Sequence, residues 1–259
     1  MSDLLGIFDS GVGGLSVARC LVKDIPDLSF IYFGDTLYVP YGEREASEVV
    51  ELIDKICHHL ISSGVKALVM ACNTSSALAY EHVVGWSPVP VIGIIEEAAK
   101  AAVKVSQNKK IGVMSNMLTA NSGAYVKACR RVASDDVEVF SIGCPKLVPL
   151  VEAGNTQSEE ARRALLEYWQ PLHEHGVDTL VLGCTHFPFL RPLLEEIVGP
   201  KVSIIDPAHY VAQKVRQLGL SCEGETERVY QASGNPLGFA WAAQKLLGYH
   251  IGQVEHIDL

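Results

Sequence analysis

Two segments decide the fold: Ala67-Leu68-Val69-Met70-Ala71-Cys72 and Thr179-Leu180-Val181-Leu182-Gly183-Cys184. Each is a continuous apolar run that ends in a cysteine and leads into small polar residues. Continuous apolar runs of this length are typical of strands that are buried on both faces of a parallel sheet. The two segments therefore predict equivalent strands in two similar α/β units.

A second pair of similar segments precedes them. Leu5-Gly6-Ile7-Phe8 resembles Ile111-Gly112-Val113-Met114, and each opens a series of strand, loop and helix. The two glycines lie 106 residues apart and the two cysteines 112 residues apart. Two pairs in the same order, with nearly equal offsets, indicate halves related by a pseudo-two-fold duplication.

Strands and helices alternate along the rest of the chain. Ala46–Ile61 and Glu159–His173 have helical periodicity. The predicted strands are Leu4–Phe8, Phe30–Gly34, Ala67–Ala71, Val91–Ile94, Ile111–Met114, Val137–Ser141, Thr179–Gly183 and Ser203–Asp206. This alternation predicts an α/β fold of two similar domains, each with a central, mostly parallel sheet flanked by helices. The residues after Asp206 exceed the repeat and are expected to pack back on the first half, so the predicted domains are 1–97 plus 207–259, and 98–206.

Composition and charge limit the class of protein. The 259 residues are 48% hydrophobic and 20% charged, with 21 Lys and Arg against 30 Asp and Glu and a net charge of −9. Such a chain can bury a core, and its negative balance argues against nucleic acid as a partner. The short basic cluster Asn108-Lys109-Lys110 is expected to lie in solvent at the entrance to a strand.

Location and redox state are indicated by two further features. No apolar run approaches the roughly 18–20 residues that cross a bilayer, and Met1-Ser2-Asp3 does not resemble a signal peptide. We therefore expect a cytoplasmic protein without a membrane partner. Its seven cysteines include no C-x-x-C pair and are expected to be free thiols.

Polar residues come directly after the predicted strands, at the ends where open parallel sheets bind ligands. These stretches are Asp9–Gly14, Asp35–Gly42, Cys72–Ser76 and Cys184–Pro188. If the two halves face each other, the stretches line one interdomain cleft with a cysteine on each side, and we expect the active site there.

A nucleotide site is an alternative, with Asp35 roughly where a ribose-binding acid would lie. However, Ser16 replaces the third glycine of the G-x-G-x-x-G pattern that begins at Gly11.

The cysteine pair indicates proton-transfer chemistry. A helix N-terminus favours a thiolate, and a thiolate on one face of a carbon with a thiol on the other can invert that centre. Donors that would stabilise a carbanion-like transition state are Ser10, Asn73, Thr74 and Thr185. Asp9, Glu152 and His186 are candidates for shifting the pKa values of the two thiols.

The other cysteines are given no part in this chemistry. Cys20, Cys57, Cys129 and Cys222 are assigned as filler or surface thiols, and the role of Cys144 stays open. The histidine spacing predicts no metal site.

Five blocks carry a family resemblance. They are Phe8-Asp9-Ser10-Gly11-Val12-Gly13-Gly14-Leu15, Pro40-Tyr41-Gly42, Cys72-Asn73-Thr74, Pro149-Leu150-Val151-Glu152 and Gly183-Cys184-Thr185-His186-Phe187-Pro188. In this order they resemble the glutamate racemases of the aspartate/glutamate racemase family over essentially the whole chain. Two departures are Lys146, where an apolar residue is usual, and Phe189, where leucine is commoner.

The resemblance implies a reaction and the residues that carry it. It implies cofactor-independent racemisation of L-glutamate and D-glutamate, in which Cys72 takes the proton from D-glutamate and Cys184 takes it from L-glutamate. Asp9 would assist Cys72, and Glu152 and His186 would assist Cys184. Substrate contacts would come from Asp9, Ser10, Tyr41, Gly42, Asn73, Thr74, Thr185 and His186.

The resemblance also implies a cellular role and an assembly. D-glutamate is a building block of peptidoglycan, so the implied role is in cell wall biogenesis and cell shape; a homodimer is implied as well. Two alternatives stay open. One is an aspartate racemase of the same group, and the other is a non-catalytic protein that binds small dicarboxylates in the same cleft with inert thiols.

Overall fold

The structure, a computed structural model, describes residues 2–133 and 136–259. These residues divide into two compact units. The first unit contains the described residues up to Ile94 together with Ala208–Leu259, and the second contains Ile95–Pro207. The first dividing point lies at the start of the helix Ile94–Val105, and the second lies at the start of the helix Pro207–Gln217.

Parallel strands form one sheet in each unit. The strands are β1 Leu4–Asp9, β2 Ser29–Gly34, β3 Ala67–Met70, β4 Val91–Gly93, β5 Lys110–Ser115, β6 Glu138–Gly143, β7 Thr179–Gly183, β8 Ser203–Ile205, β9 Arg228–Ala232 and β10 Val254–His256. The first sheet has the order β10-β9-β2-β1-β3-β4, and the second has the order β6-β5-β7-β8. The strands β3 and β7 are buried along their whole length, as their continuous apolar runs predict.

Helices connect the strands in both units. They are α1 Leu15–Asp24, α2 Ala46–Ser62, α3 Asn73–Trp86, α4 Ile94–Val105, α5 Met117–Ser122, α6 Ala124–Ala133, α7 Leu147–Glu152, α8 Glu159–Glu174, α9 Arg191–Val198, α10 Pro207–Gln217 and α11 Pro236–Leu247. The predicted α/β fold with parallel sheets and flanking helices is therefore confirmed. Within the described part of the chain, no helix has the length and apolar character that spanning a membrane requires.

The predicted strands are all present, with small shifts at their ends, but two strands were missed. β9 pairs with β2, and β10 pairs with β9, so both extend the sheet of the first unit. The expectation that the chain after Asp206 packs back on the first half is thus confirmed. Both strands were missed for a physical reason: β10 has three residues, two of them exposed, and β9 contains the polar residues Arg228 and Gln231, so neither forms a continuous apolar run.

The duplication is visible in strand order and in packing. The strands β2-β1-β3-β4 of the first sheet and β6-β5-β7-β8 of the second have the same order. In each unit, the strand that precedes the cysteine, β3 or β7, is the third strand in sequence and lies third in this order. A Cβ atom at Gly6 and one at Gly112 would each meet two leucines and one valine within 3.4 Å, at equivalent positions of the two units. The neighbours are Leu60, Val65 and Leu68 for Gly6, and Leu172, Val177 and Leu180 for Gly112. Each neighbour in the second set lies 112 residues after its counterpart, which is the offset between Cys72 and Cys184.

The basic cluster lies at the entrance to β5, as predicted, beside a well-bonded carboxylate. Asp178 accepts hydrogen bonds from the Gln107 N–H at 2.8 Å, the Asn108 N–H at 2.7 Å and the Ser106 hydroxyl at 2.6 Å. Burial opposes ionisation, but these bonds and one from Thr179 lower the pKa of Asp178. The carboxylate thereby closes the turn that leads into β5.

Candidate active site

The carboxyl ends of three neighbouring strands bring together polar residues of the first unit. Asp9 ends β1, Asp35 comes directly after β2, and Cys72 lies just beyond β3. β1 pairs with both neighbours, and the ladder continues past the strand ends, because the Asp35 N–H donates to the Asp9 carbonyl at 3.0 Å. The three side chains therefore start from one edge of one sheet, where parallel sheets bind ligands.

The loop after β1 wraps around the Asp9 carboxylate. Asp9 is buried, and the Gly11 N–H donates to its Oδ1 atom at 2.9 Å. The Tyr32 hydroxyl holds the same loop by donating to the Gly11 carbonyl at 2.9 Å. Gly14 has no room for a side chain, since a Cβ there would lie 2.6 Å from the Asp9 Cβ. The glycines thus allow the loop to pack closely around Asp9.

Cys72 is the N-cap residue of α3 and is 6% exposed. Its thiol lies 3.6 Å from the Ser10 hydroxyl. Burial, followed by the negative charge of Asp9, raises the pKa of Cys72, while hydrogen bonding from the Ser75 N–H and hydroxyl and from Ser10 lowers it. The expectation that Cys72 would have a lowered pKa is therefore wrong, because burial and the Asp9 charge outweigh the hydrogen-bond donors.

Asn73 and Thr74 form the first turn of α3, directly after Cys72. Both are buried. The first intrahelical bond runs from the Ser76 N–H to the Cys72 carbonyl at 3.0 Å, so the N–H groups before Ser76 lie outside the repeating bonds of the helix. N–H groups at this position favour an anion next to the thiol.

Asp35 is hydrogen-bonded to both Tyr41 and Ser233. Tyr41 begins a short 3₁₀ helix, with the half-buried Gly42 next to it, and its hydroxyl donates to Asp35 Oδ2. The Ser233 hydroxyl, just after β9, donates to Asp35 Oδ1 at 2.6 Å. Asp35 is 1% exposed, and burial raises its pKa despite both donors. With both oxygens engaged inside the protein, Asp35 does not have the exposed position that binding a ribose requires.

In the second unit, Cys184 lies directly after β7 and is 8% exposed. Buried Thr185 and a turn come next, and a 3₁₀ helix at Phe187–Leu190 precedes the start of α9. Cys184 is thus not an α-helix N-cap, unlike Cys72. The two cysteines share a strand position but differ in the kind of helix that begins after them.

The Cys184 thiol is followed in space by the His186 imidazole and then by the Glu152 carboxylate. His186 Nδ1 is 3.9 Å from the Cys184 Sγ atom, and His186 Nε2 is 3.5 Å from Glu152 Oε1. Hydrogen bonding to His186 lowers the pKa of Glu152, which ends α7. Glu152 is 56% exposed at its side chain and His186 only 12%, so the carboxylate connects the imidazole to solvent. The structure brings these three predicted residues together.

The two units differ at equivalent positions beside the cysteines. The Cys144 N–H donates to the Ser115 carbonyl at 2.7 Å, which is the same ladder position as the bond from Asp35 to Asp9. Ser115 therefore stands where the first unit has Asp9, and Cys144 stands where it has Asp35. Cys144 is buried, and desolvation raises its pKa. It occupies the position of a carboxylate without replacing its charge.

Lys146, which departs from the family pattern, and the other cysteines lie outside the group formed by Cys184, His186 and Glu152. Lys146 points to the surface and pairs with Glu167 at 2.6 Å. Cys57 and Cys129 are buried in helices, as filler, while Cys20 and Cys222 are partly exposed. Within residues 2–133 and 136–259, no three His, Cys, Asp or Glu side chains are grouped so that they could hold a metal ion.

Comparison with known proteins decides the family. The family model described as Asp/Glu/Hydantoin racemase matches residues 33–215, which is well over half of the chain. This chain belongs to that family. A glutamate racemase of Desulforudis audaxviator is 40% identical over 267 residues, covering 98% of this chain and 97% of the relative.

Solved structures of the family have the same fold. A glutamate racemase isoform of Bacillus anthracis has a TM-score of 0.94 at 33% identity, covering 99% of this chain and 98% of that one. The glutamate racemase of Francisella tularensis, in complex with D-glutamate, has a TM-score of 0.91 at 27% identity, with coverage of 99% and 98%. The prediction that the chain is an amino acid racemase, and thus an isomerase, is confirmed.

Sequence reasoning missed two contributors to the site. Ser75 was noted only as part of the loop after Cys72, yet its hydroxyl and N–H both act on that thiol. Asp35 was considered only for a ribose, yet it anchors Tyr41. The position of Ser75, three residues after an N-cap, is a signal that could have identified it. For Asp35, the partner Ser233 is too distant in sequence to be inferred.

Proposed function

We propose that this protein is a cofactor-independent glutamate racemase in which Cys72 and Cys184 transfer the protons. The observation that carries the proposal is the equivalence of the two thiols: each is buried at the carboxyl end of the third strand of a duplicated unit. The proposal draws its substrate from the names of the relatives and from the D-glutamate bound in the Francisella tularensis structure.

Conversion of L-glutamate begins at Cys184. Its thiolate removes the α-proton, so that the Cα–H bond breaks, an S–H bond forms, and the electron pair stays on the α-carbon. The Cys72 thiol then gives its proton to the opposite face and becomes a thiolate, which yields D-glutamate. The reverse reaction exchanges the two roles, and the mechanism requires both thiols to reach the same α-carbon.

The surroundings of Cys72 suit the donor role. Burial and the Asp9 carboxylate raise the pKa of Cys72, which keeps the thiol protonated until a carbanion is present to receive the proton. For the reverse reaction, the positive α-ammonium of bound D-glutamate offsets the charge of Asp9 and favours the thiolate. Asp9 thus assists Cys72 by setting which form is present.

On the other side, His186 and Glu152 assist Cys184. The imidazole next to the Cys184 Sγ atom takes its proton, and the Glu152 carboxylate stabilises the imidazolium that forms. Substrate contacts are proposed for Ser10, Tyr41, Gly42, Asn73, Thr74 and Thr185, with the N–H groups at the start of α3 binding a substrate carboxylate.

The first test is racemisation without added cofactor. Purified protein is mixed with L-glutamate and, separately, with D-glutamate in D₂O, and circular dichroism and α-proton NMR are followed together. We expect the optical signal to decay to zero from both sides while deuterium enters the α-carbon. Racemisation of aspartate but not glutamate would contradict the substrate, and binding of glutamate without exchange would indicate a non-catalytic dicarboxylate binder.

Substitution tests the two-thiol mechanism. Cys72→Ser and Cys184→Ser are each expected to lower kcat by at least about a hundredfold while the far-ultraviolet spectrum is unchanged, since general acid–base residues contribute roughly 10²–10⁴-fold. Cys20→Ser and Cys222→Ser are matched controls, because both thiols are partly exposed and lie outside the arrangement. Full turnover by either active-site variant would refute the mechanism.

We propose three further properties on the strength of the family alone. The product supplies D-glutamate for peptidoglycan in the cytoplasm, the two compact units are the two domains of the enzyme, and the enzyme is a homodimer. Light scattering of the purified protein tests the dimer: a mass near twice 28.1 kDa is expected, and the single-chain mass would overturn it.

A further inference from the structure

We propose that Ser75 is a positioning residue for Cys72, and that its hydroxyl donates a hydrogen bond to the thiolate that forms at Cys72. This inference rests on the proposed function, in which Cys72 loses and regains a proton in each cycle. Ser75 does not touch substrate in this proposal. It acts only through the sulfur.

The helix places the two side chains together. Cys72 is the N-cap of α3, with extended backbone angles, and Ser75 is the third helical residue. In the common capping arrangement, the N-cap side chain accepts from the N–H of this third residue, and the third side chain reaches back toward the N-cap. Cys72 makes no side-chain capping hydrogen bond in the structure, so the sulfur stands where a capping oxygen would be without yet accepting a bond, although the nearby Ser75 N–H and hydroxyl lower the pKa of Cys72.

The Ser75 hydroxyl makes no hydrogen bond in the described part of the chain. Ser75 is 0% exposed, and its Oγ atom has no hydrogen-bond partner of any kind among residues 2–133 and 136–259. A buried hydroxyl without a partner is costly and calls for an explanation. A neutral thiol is a weak acceptor, whereas a thiolate is a strong, charged one. The partner of Ser75 is therefore created when Cys72 loses its proton.

The surroundings show why a neutral donor is needed. Burial and Asp9 both oppose a thiolate at Cys72, and the nearby Ser10 hydroxyl lies at 3.6 Å. A lysine or arginine here would fix Cys72 as a thiolate and prevent it from donating a proton. A hydroxyl stabilises the thiolate only moderately, so both protonation states remain available during the cycle.

The direct test measures the Cys72 thiol without turnover. In a Cys184→Ser background, alkylation of Cys72 by iodoacetamide is followed across pH by mass spectrometry of its peptide. Ser75→Ala is expected to raise the midpoint by about one pH unit, which corresponds to the loss of a single hydrogen bond to a charged group. Ser75→Thr, which keeps the hydroxyl, is expected to restore it. An unchanged midpoint in Ser75→Ala would overturn the inference.

A control on the same helix separates this role from a structural one. Ser76 is also buried, but it projects about 100° around the helix from Ser75, and Ser76→Ala is expected to leave the midpoint unshifted. Ser75→Ala removes a hydroxyl without a neutral partner and introduces a good helix former, so its thermal stability should equal or exceed that of the parent. Lower stability with an unshifted midpoint would make Ser75 merely structural.

Turnover provides a second readout. The acidic limb of the kcat/KM profile for D-glutamate should move up by about one pH unit in Ser75→Ala, a tenfold loss below the limb. Because the two enantiomers have equal free energies, kcat/KM for L-glutamate must fall by the same factor. If Cys72→Ser kept full activity, the proposed function would fail, while the alkylation midpoint would still decide whether Ser75 acts on Cys72.

Discussion

Replacing Tyr41 by phenylalanine isolates the bond between its hydroxyl and the buried Asp35 carboxylate. The ring is retained, so the core loses no apolar volume, and Asp35 Oδ2 loses its donor in an environment where Asp35 is 1% exposed. A hydrogen bond to a charged group contributes about 1.5–3 kcal/mol, so we expect a loss of about 2 kcal/mol in the free energy of unfolding at pH 7. For a chain of this size, that loss corresponds to a decrease of roughly 4–8 °C in Tm.

The pH dependence has a definite sign. Burial raises the folded-state pKa of Asp35 above its ordinary value, so the stability that this group contributes is fully present below the unfolded pKa and is lost as the pH rises through the folded pKa. Tyr41→Phe removes a bond that favours the carboxylate and raises that pKa further. The decrease in Tm is therefore expected to be largest at neutral pH and to shrink under acidic conditions, as followed by circular dichroism.

A double-mutant cycle supplies the control. Asp35→Asn removes the buried charge, and its amide can still pair with the Ser233 and Tyr41 hydroxyls, so we expect little change in stability from it alone. Tyr41→Phe in the Asp35→Asn background should then cost less than half of what it costs in the parent. Equal costs in the two backgrounds would refute the claim that the hydroxyl acts on the carboxylate.

Three further predictions concern other residues. Gly14→Ala places a Cβ 2.6 Å from the Asp9 Cβ, and we expect about a hundredfold loss of racemisation with the fold retained; normal kcat would contradict this. Asp178→Ala should lower Tm at pH 7 far more than Asp178→Asn, which keeps the acceptor for the two N–H groups. Because the pKa of Asp178 is lowered in the fold, the parent alone loses this stability as the pH falls, so the deficit of each variant relative to the parent should diminish in acid. In His186→Asn, the carboxyl NMR titration of Glu152 should move up toward its ordinary range, and an unmoved titration would mean that His186 is not its partner.

Local sequence patterns predict the strands that carry the site but not their full sheet. β3 and β7 are buried on both faces and have continuous apolar sequences, so their positions and the cysteines after them could be inferred. β10 is short and exposed at the edge of the sheet, and β9, which pairs with it, joins the sheet only by pairing with β2, a strand far away in sequence. Such an edge is determined by tertiary pairing, which local patterns do not record.

The chemistry of the site could be predicted in kind but not in its details. The two thiols and their candidate partners could be inferred from their positions after strands and from the family resemblance. The direction in which the pKa of Cys72 is shifted could not be inferred, because a helix N-terminus and burial act in opposite directions and the extent of burial is not visible in the sequence. The bridge from Tyr41 through Asp35 to Ser233 joins residues 198 positions apart and has no local signature.

The matching surroundings of Gly6 and Gly112 have a consequence for what one chain can do and a pair of identical chains cannot. The two halves keep the same interior packing, while Asp9 in one half corresponds to Ser115 in the other. In a pair of identical chains, a residue at that position would be present on both sides at once. In one chain each half carries its own residues, so Cys72 has a carboxylate neighbour and Cys184 has an imidazole neighbour, although the packing around the two glycines is alike.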